Sequence, residues 1–129
     1  MRSNDQEIVA RRLTKAKKTL NETEIHIQNE LWNTAVNRLY YACFYAVTAL
    51  LFQNGQETKT HGGVQRLFSL HFIKTSIIKE HIGAFYMTLF EMRQDADYED
   101  LVEYEREDVL KLLAPARELI TAIETEINK

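Results

Sequence analysis

Apolar residues recur along most of this chain every three to four positions, the repeat of an α-helix with one buried face. Val9, Leu13, Ala16 and Leu20 form such a stripe and predict a first helix over Asp5–Gln28, with the Asp5 carboxylate as its N-cap. Arg11, Lys15 and Lys18 share the opposite face. That pattern reads as a solvated face, the sharper alternative being a surface that meets phosphate. A second helix is expected over Leu31–Asn54. Trp32, Ala35, Leu39, Cys43, Val47 and Leu50 give it one apolar stripe, and Tyr40, Phe44 and Leu51 give it another. So broad an apolar surface predicts burial on most sides, and Gly55 is placed to end the helix in a left-handed conformation.

Shorter patterns follow. His61–Phe72 predicts a third helix with Val64, Leu67, Phe68 and Leu70 inward. Ile77–Arg93 predicts a fourth, with Ile78, Ile82, Phe85, Leu89, Phe90 and Met92 inward. Asp95–Asp108 holds eight acidic residues and reads as a solvated connection, whose last carboxylates suit the positive end of a fifth helix. That helix is expected over Glu105–Ile127, with Val109, Leu112, Leu113, Ala116, Leu119, Ile120 and Ile123 inward and a kink at Pro115. Four glycines and one proline are too few breakers for an all-β chain, so the fold class is all-α.

Composition narrows the function classes. A length of 129 residues suits a single domain, and 45% apolar against 27% charged residues is a globular balance. Cys43 is the lone cysteine, which excludes an internal disulfide and fits a reducing compartment. The first residues lack the apolar core of a secretory signal. The apolar run Leu39–Phe52 is 14 residues long, against about 20 for a membrane span, so a soluble cytoplasmic protein is expected. A net charge of −3 argues against non-specific binding to DNA or RNA, yet leaves room for a local basic pocket. His26, His61, His71 and His81 lack the spacing that sets two metal ligands on one helical face, and no Glu-x-x-His occurs. No glycine-rich phosphate loop is present either. Neither metal nor cofactor is expected.

Arg38 is the only charge between Glu30 and Glu57. On an apolar helix it needs a carboxylate, a phosphate or a partner chain. Pairing with Glu91 or Asp97 inside the bundle is its expected role.

Three segments stand out from this background. They are Asn37-Arg38-Leu39-Tyr40-Tyr41-Ala42, Lys59-Thr60-His61-Gly62-Gly63-Val64 and Arg93-Gln94-Asp95-Ala96-Asp97-Tyr98. In order and spacing they resemble the HEPN family, in particular its small stand-alone prokaryotic members, over about Ala10 to Ile123. The resemblance implies an antiparallel up-and-down bundle of four main helices plus a short extra one. It implies a homodimer with a polar cleft at the interface, and a minimal nucleotidyltransferase as partner in a toxin–antitoxin pair. Active members are metal-independent ribonucleases whose motif is an arginine followed four to six residues later by a histidine. Such cleavage needs a group that moves a proton near neutral pH and a cation that holds the phosphate oxygens.

Arg93 matches the family arginine, but no histidine follows it. Tyr98 stands where a four-residue gap would place one, and a phenol is a poor base at pH 7. The intact ribonuclease motif is therefore absent at its family position. Arg66 and His71 have a matching spacing, but lie on the third helix and are expected on different faces. The expected ligand-binding cleft comprises Arg38, Tyr41, His61, Arg93, Asp97 and Tyr98, with Arg93 and Tyr98 as the weak catalytic candidates. It would take a nucleotide, an RNA end or a partner protein, with no DNA and no membrane involved. The alternatives are an active ribonuclease toxin and a pure interaction subunit for a nucleotidyltransferase, to which Tyr98 would offer a phenol as nucleotidyl acceptor.

Overall fold

The computed structural model describes residues 3–98 and 102–129. Among these the chain is all-α: helices α1 (Ser3–Gln28), α2 (Trp32–Gln53), α3 (His61–Phe68), α4 (Glu80–Ala96), α5 (Arg106–Leu110) and α6 (Leu113–Ile127), with a π-helical turn over Ser69–Ile73 extending α3. Glu99 and Asp100 of the acidic run lie outside the described residues.

Helix α2 is the hub. It touches α1, α3, α4, α5 and α6, which explains both of its apolar stripes. Ala35, Ala42, Ala46 and Ala49 are buried and let neighbouring backbones come close, while Leu39, Tyr40, Val47, Leu50 and Leu51 fill the space between them. Side-chain contacts set the helix directions. Arg12 of α1 reaches the Thr48 carbonyl, whereas Lys15 lies over Tyr45, so α1 and α2 run antiparallel. Asn37 meets Asp97 and Tyr40 stacks on Tyr86, so α2 and α4 do as well. Lys17–Glu124 and Arg117–Glu24 ion pairs orient α1 against α6 in the same way.

Several expectations need correction. α1 begins at Ser3, so Asp5 sits in the first turn and interacts with the helix dipole instead of capping it. α3 stops at Phe68 and widens into the π-helical turn, where the Lys74 N–H donates to the Ser69 carbonyl at 2.9 Å. The widening shifts the side-chain phase, which is why Leu70, expected inward, is exposed. α4 starts at Glu80, not Ile77. Ser76 turns the chain with φ 62°, and the Ile78 N–H is satisfied by the Phe72 carbonyl. α4 then continues past Arg93 to Ala96. The single kinked helix expected over Glu105–Ile127 is two helices. Pro115 lies in the first turn of α6, where its missing N–H leaves no bond unmade, and the chain breaks before it at Lys111 and Leu112. A capping box between Glu105 and Asp108 starts α5. Gly55 does adopt the left-handed conformation, with φ 75°.

Among the described residues, α2 alone is long and apolar enough to cross a membrane, and 61% of its most apolar stretch is buried inside the protein.

Candidate functional site

The α2 sequence puts Arg38, Tyr41 and Tyr45 on one face at spacings of three and four, and the three are half-buried. Asn37 and Tyr40 lie beside this face and look towards α4. α3 enters next to them because Thr60 caps it, its side chain accepting from the Gly63 N–H at 2.9 Å. Gly63 allows that approach: a Cβ there would lie 2.5 Å from Thr58 Oγ1 and 2.7 Å from Thr60 Oγ1. The cap fixes His61 as the first residue of α3. From the other side, the last turn of α4 brings Arg93 and Asp97, four residues apart and joined by a 3.0 Å ion pair.

These elements converge. Asp97 accepts from Arg93 Nη1 through one carboxylate oxygen and from Asn37 Nδ2 at 3.2 Å through the other. Asn37 Oδ1 in turn accepts from Arg38 Nε and Nη2 at 3.3 and 3.2 Å. A chain of polar contacts thus runs Arg38–Asn37–Asp97–Arg93. Beneath it, Arg38 lies over the Tyr41 ring at 5.0 Å and Arg93 over the Tyr40 ring at 5.1 Å. The two tyrosines meet edge to face with centroids 5.3 Å apart. His61 packs on Tyr40, Tyr41 and Phe44, and its Nδ1 is 2.9 Å from the Tyr40 hydroxyl.

The electrostatics are uneven. Among the described residues, Arg93 has a carboxylate partner and Arg38 has none. The expected pairing of Arg38 with Glu91 or Asp97 is not made, because Asp97 is taken by Arg93 and Asn37, and Arg38 turns back onto Asn37. Arg93 Nε is buried with no hydrogen-bond partner among the described residues. Burial, and then the Arg93 charge, lower the His61 pKa from 6.5, so the ring is neutral at pH 7. The Tyr40 hydroxyl is pushed up to about 12, chiefly by burial, and stays protonated. In the tautomer whose Nδ1 accepts from that hydroxyl, His61 Nε2 carries the ring proton and is a hydrogen-bond donor.

Of the six expected cleft residues, the structure brings Arg38, Tyr41, His61, Arg93 and Asp97 together. Tyr98 stands apart, 66% exposed just beyond α4. Arg66 is exposed on α3 and His71 is half-buried in the π-helical turn; neither bonds to this cluster. Asn37 and Tyr40 fall in the first of the three segments but were not among the expected cleft residues. Asn37 was legible as an amide on an otherwise apolar helix; Tyr40 read as core, and its hydroxyl partner lies 21 residues away.

The three segments that build this cluster are those that carried the family resemblance. A family model for the HEPN domain matches residues 9–126. The chain belongs to the HEPN family. A HEPN relative from Thermotoga maritima, named a UPF0332 protein, is 39% identical over 114 residues, spanning 88% of this chain and 86% of that protein. A Methanocaldococcus jannaschii protein named "Putative toxin" is 35% identical over 101 residues, 78% of this chain and 69% of that one. A UPF0332 protein from Archaeoglobus fulgidus is 24% identical over 118 residues, 92% of this chain and 94% of that protein. Among the described residues of this HEPN chain, no three His, Cys, Asp or Glu side chains gather as a metal site.

Proposed function

We propose that this HEPN protein binds the phosphate of a nucleotide or RNA end at the Arg38–Arg93 cluster, as the toxin-type member of a toxin–antitoxin pair. One observation carries the reading: two guanidinium groups lie over adjacent tyrosine rings, linked through Asn37 and Asp97, and among the described residues only Arg93 is balanced by a carboxylate. Charge-assisted bonds from arginine to phosphate would satisfy the half-buried Arg38, and in the tautomer that accepts from Tyr40, His61 Nε2 would add a neutral donor to the cluster. The toxin-named relative supports the pairing with an antitoxin, for which a minimal nucleotidyltransferase is the proposed partner. Tyr98, exposed beyond the cluster, remains the proposed phenol for nucleotidyl transfer from that partner. Isothermal titration with nucleotides and short RNAs tests the binding. Wild type binds, and Arg93→Ala, which frees Asp97 to repel phosphate, binds at least tenfold more weakly. No heat with any of these ligands, or equal affinity in the variant, removes the reading.

A second reading is favoured by the position of His61. The family motif lacks its histidine after Arg93, yet a histidine from another helix stands beside Arg93 through Tyr40. In a metal-independent ribonuclease His61 would move the proton while the arginines hold the phosphate oxygens. This predicts RNA cleavage in EDTA that His61→Ala and Arg93→Ala each abolish. RNA left intact after long incubation ends it.

A further inference from the structure

The outer face of α1 and α2 holds a groove of about 710 Å³ lined by Arg11, Lys15, Lys18, Arg38 and Tyr45. It opens beside the cluster, because Arg38 belongs to both. We propose that this groove is a track for the backbone of single-stranded RNA, leading the strand towards the Arg38–Arg93 cluster. The proposal rests on the nucleic-acid reading above and adds a second, separate surface to it.

Charge pairing singles the groove out. The α1 cations facing elsewhere are neutralised, Arg12 by Glu57 and Lys17 by Glu124. Within the groove Arg11 is paired with Glu7 at 2.8 Å. Lys15, Lys18 and Arg38 have no carboxylate partner among the described residues. Three unneutralised cations thus share one concavity in a chain whose net charge is −3. Arg11, Lys15 and Lys18 follow at spacings of four and three, a row of about 10 Å along α1. The groove also has an aromatic residue in its lining, Tyr45, whose ring lies 4.5 Å below Lys15 Nζ. Next to it, outside the groove lining, Tyr41 lies under Arg38 with its centroid 6.0 Å from that of Tyr45. A cationic row over half-buried tyrosines is the arrangement that follows a single strand without reading its sequence, phosphates meeting the cations and bases meeting rings. Glu22 shares the groove without an ion pair among the described residues and would oppose a phosphate there.

Fluorescence anisotropy of a labelled oligouridylate over about 50 to 200 mM salt tests this, with uridine monophosphate as a probe of the cluster alone. Three phosphates met by Lys15, Lys18 and Arg38 predict a log–log salt slope near −2, and Lys15→Gln with Lys18→Gln flattens it by about 1.4. The double variant binds oligouridylate roughly tenfold more weakly at low salt and keeps its affinity for the monophosphate. Glu22→Gln, which no loss of folding can mimic, binds oligouridylate more tightly. An unchanged salt slope in the double variant, or an unchanged affinity in Glu22→Gln, overturns the track. If Arg93→Ala still weakens the monophosphate in that case, the cluster reading stands without it. Equal competition by polyglutamate also overturns the proposal, since it would assign the groove to an acidic protein segment.

Discussion

His61 and Tyr40 are the residues whose roles depend most on each other. The Tyr40 hydroxyl is buried and keeps its proton, and the His61 ring gives it a partner at 2.9 Å. The His61 pKa is lowered in the folded protein, so the unfolded chain takes up a proton first as pH falls. The stability that neutral His61 contributes is therefore present above pH 6.5 and is lost as pH drops below it. In thermal melts from neutral to mildly acidic pH, His61→Gln should lose less stability below 6.5 than wild type, because glutamine can bond Tyr40 without titrating; an identical decline would show that His61 is not coupled to folding. Tyr86 gives the converse case. Its hydroxyl is buried next to Tyr40 yet makes no hydrogen bond of acceptable geometry among the described residues. Tyr86→Phe should leave the melting temperature unchanged or raise it, since removing an unsatisfied buried hydroxyl costs nothing in lost bonds, and a fall of several degrees would reveal a partner for it.

At the scale of elements, the clip between α2 and the chain before α5 carries more weight than its polar residues suggest. Asn33 Nδ2 donates to the Val102 carbonyl at 3.0 Å, its Oδ1 accepts from the Tyr104 N–H at 2.9 Å, and the Tyr104 hydroxyl reaches the Met92 carbonyl. Asn33→Ala leaves two backbone groups without that partner and should cost about 1–3 kcal/mol in denaturant unfolding, whereas an effect below about 0.5 would mean water replaces it. Gly63→Ala should also destabilise, as its Cβ meets two threonine side chains below 3 Å at the α3 cap, and loss of binding should accompany it because His61 depends on that cap. Periodicity revealed which helices exist and which faces are buried: the stripes of α1, α2 and α6 are where their spacing puts them. It did not reveal the π-helical turn, the late start of α4 or the break before Pro115, because each depends on backbone hydrogen bonds that apolar spacing does not encode. The site was legible in part. Arg38, His61 and Arg93 stood out as polar residues in ordered segments, while the links through Asn37 and Tyr40 span 60 and 21 residues and exist only after packing.

At the scale of the whole molecule, the exposed Ile77, Met87 and Leu110 leave apolar area that a second copy is expected to cover. Light scattering should give about twice the 15.1 kDa chain mass at micromolar concentration, and a value near the chain mass would contradict the dimer. The account as a whole rests on Arg38 as the cation left for phosphate. Its most direct test is a calorimetric titration of a short 5′-phosphorylated RNA into wild type and Arg38→Ala, with circular dichroism confirming that both are folded. The account predicts binding by wild type that weakens roughly 10- to 100-fold in the variant, the loss of a charge-assisted bond. Equal affinity in the two proteins would contradict it.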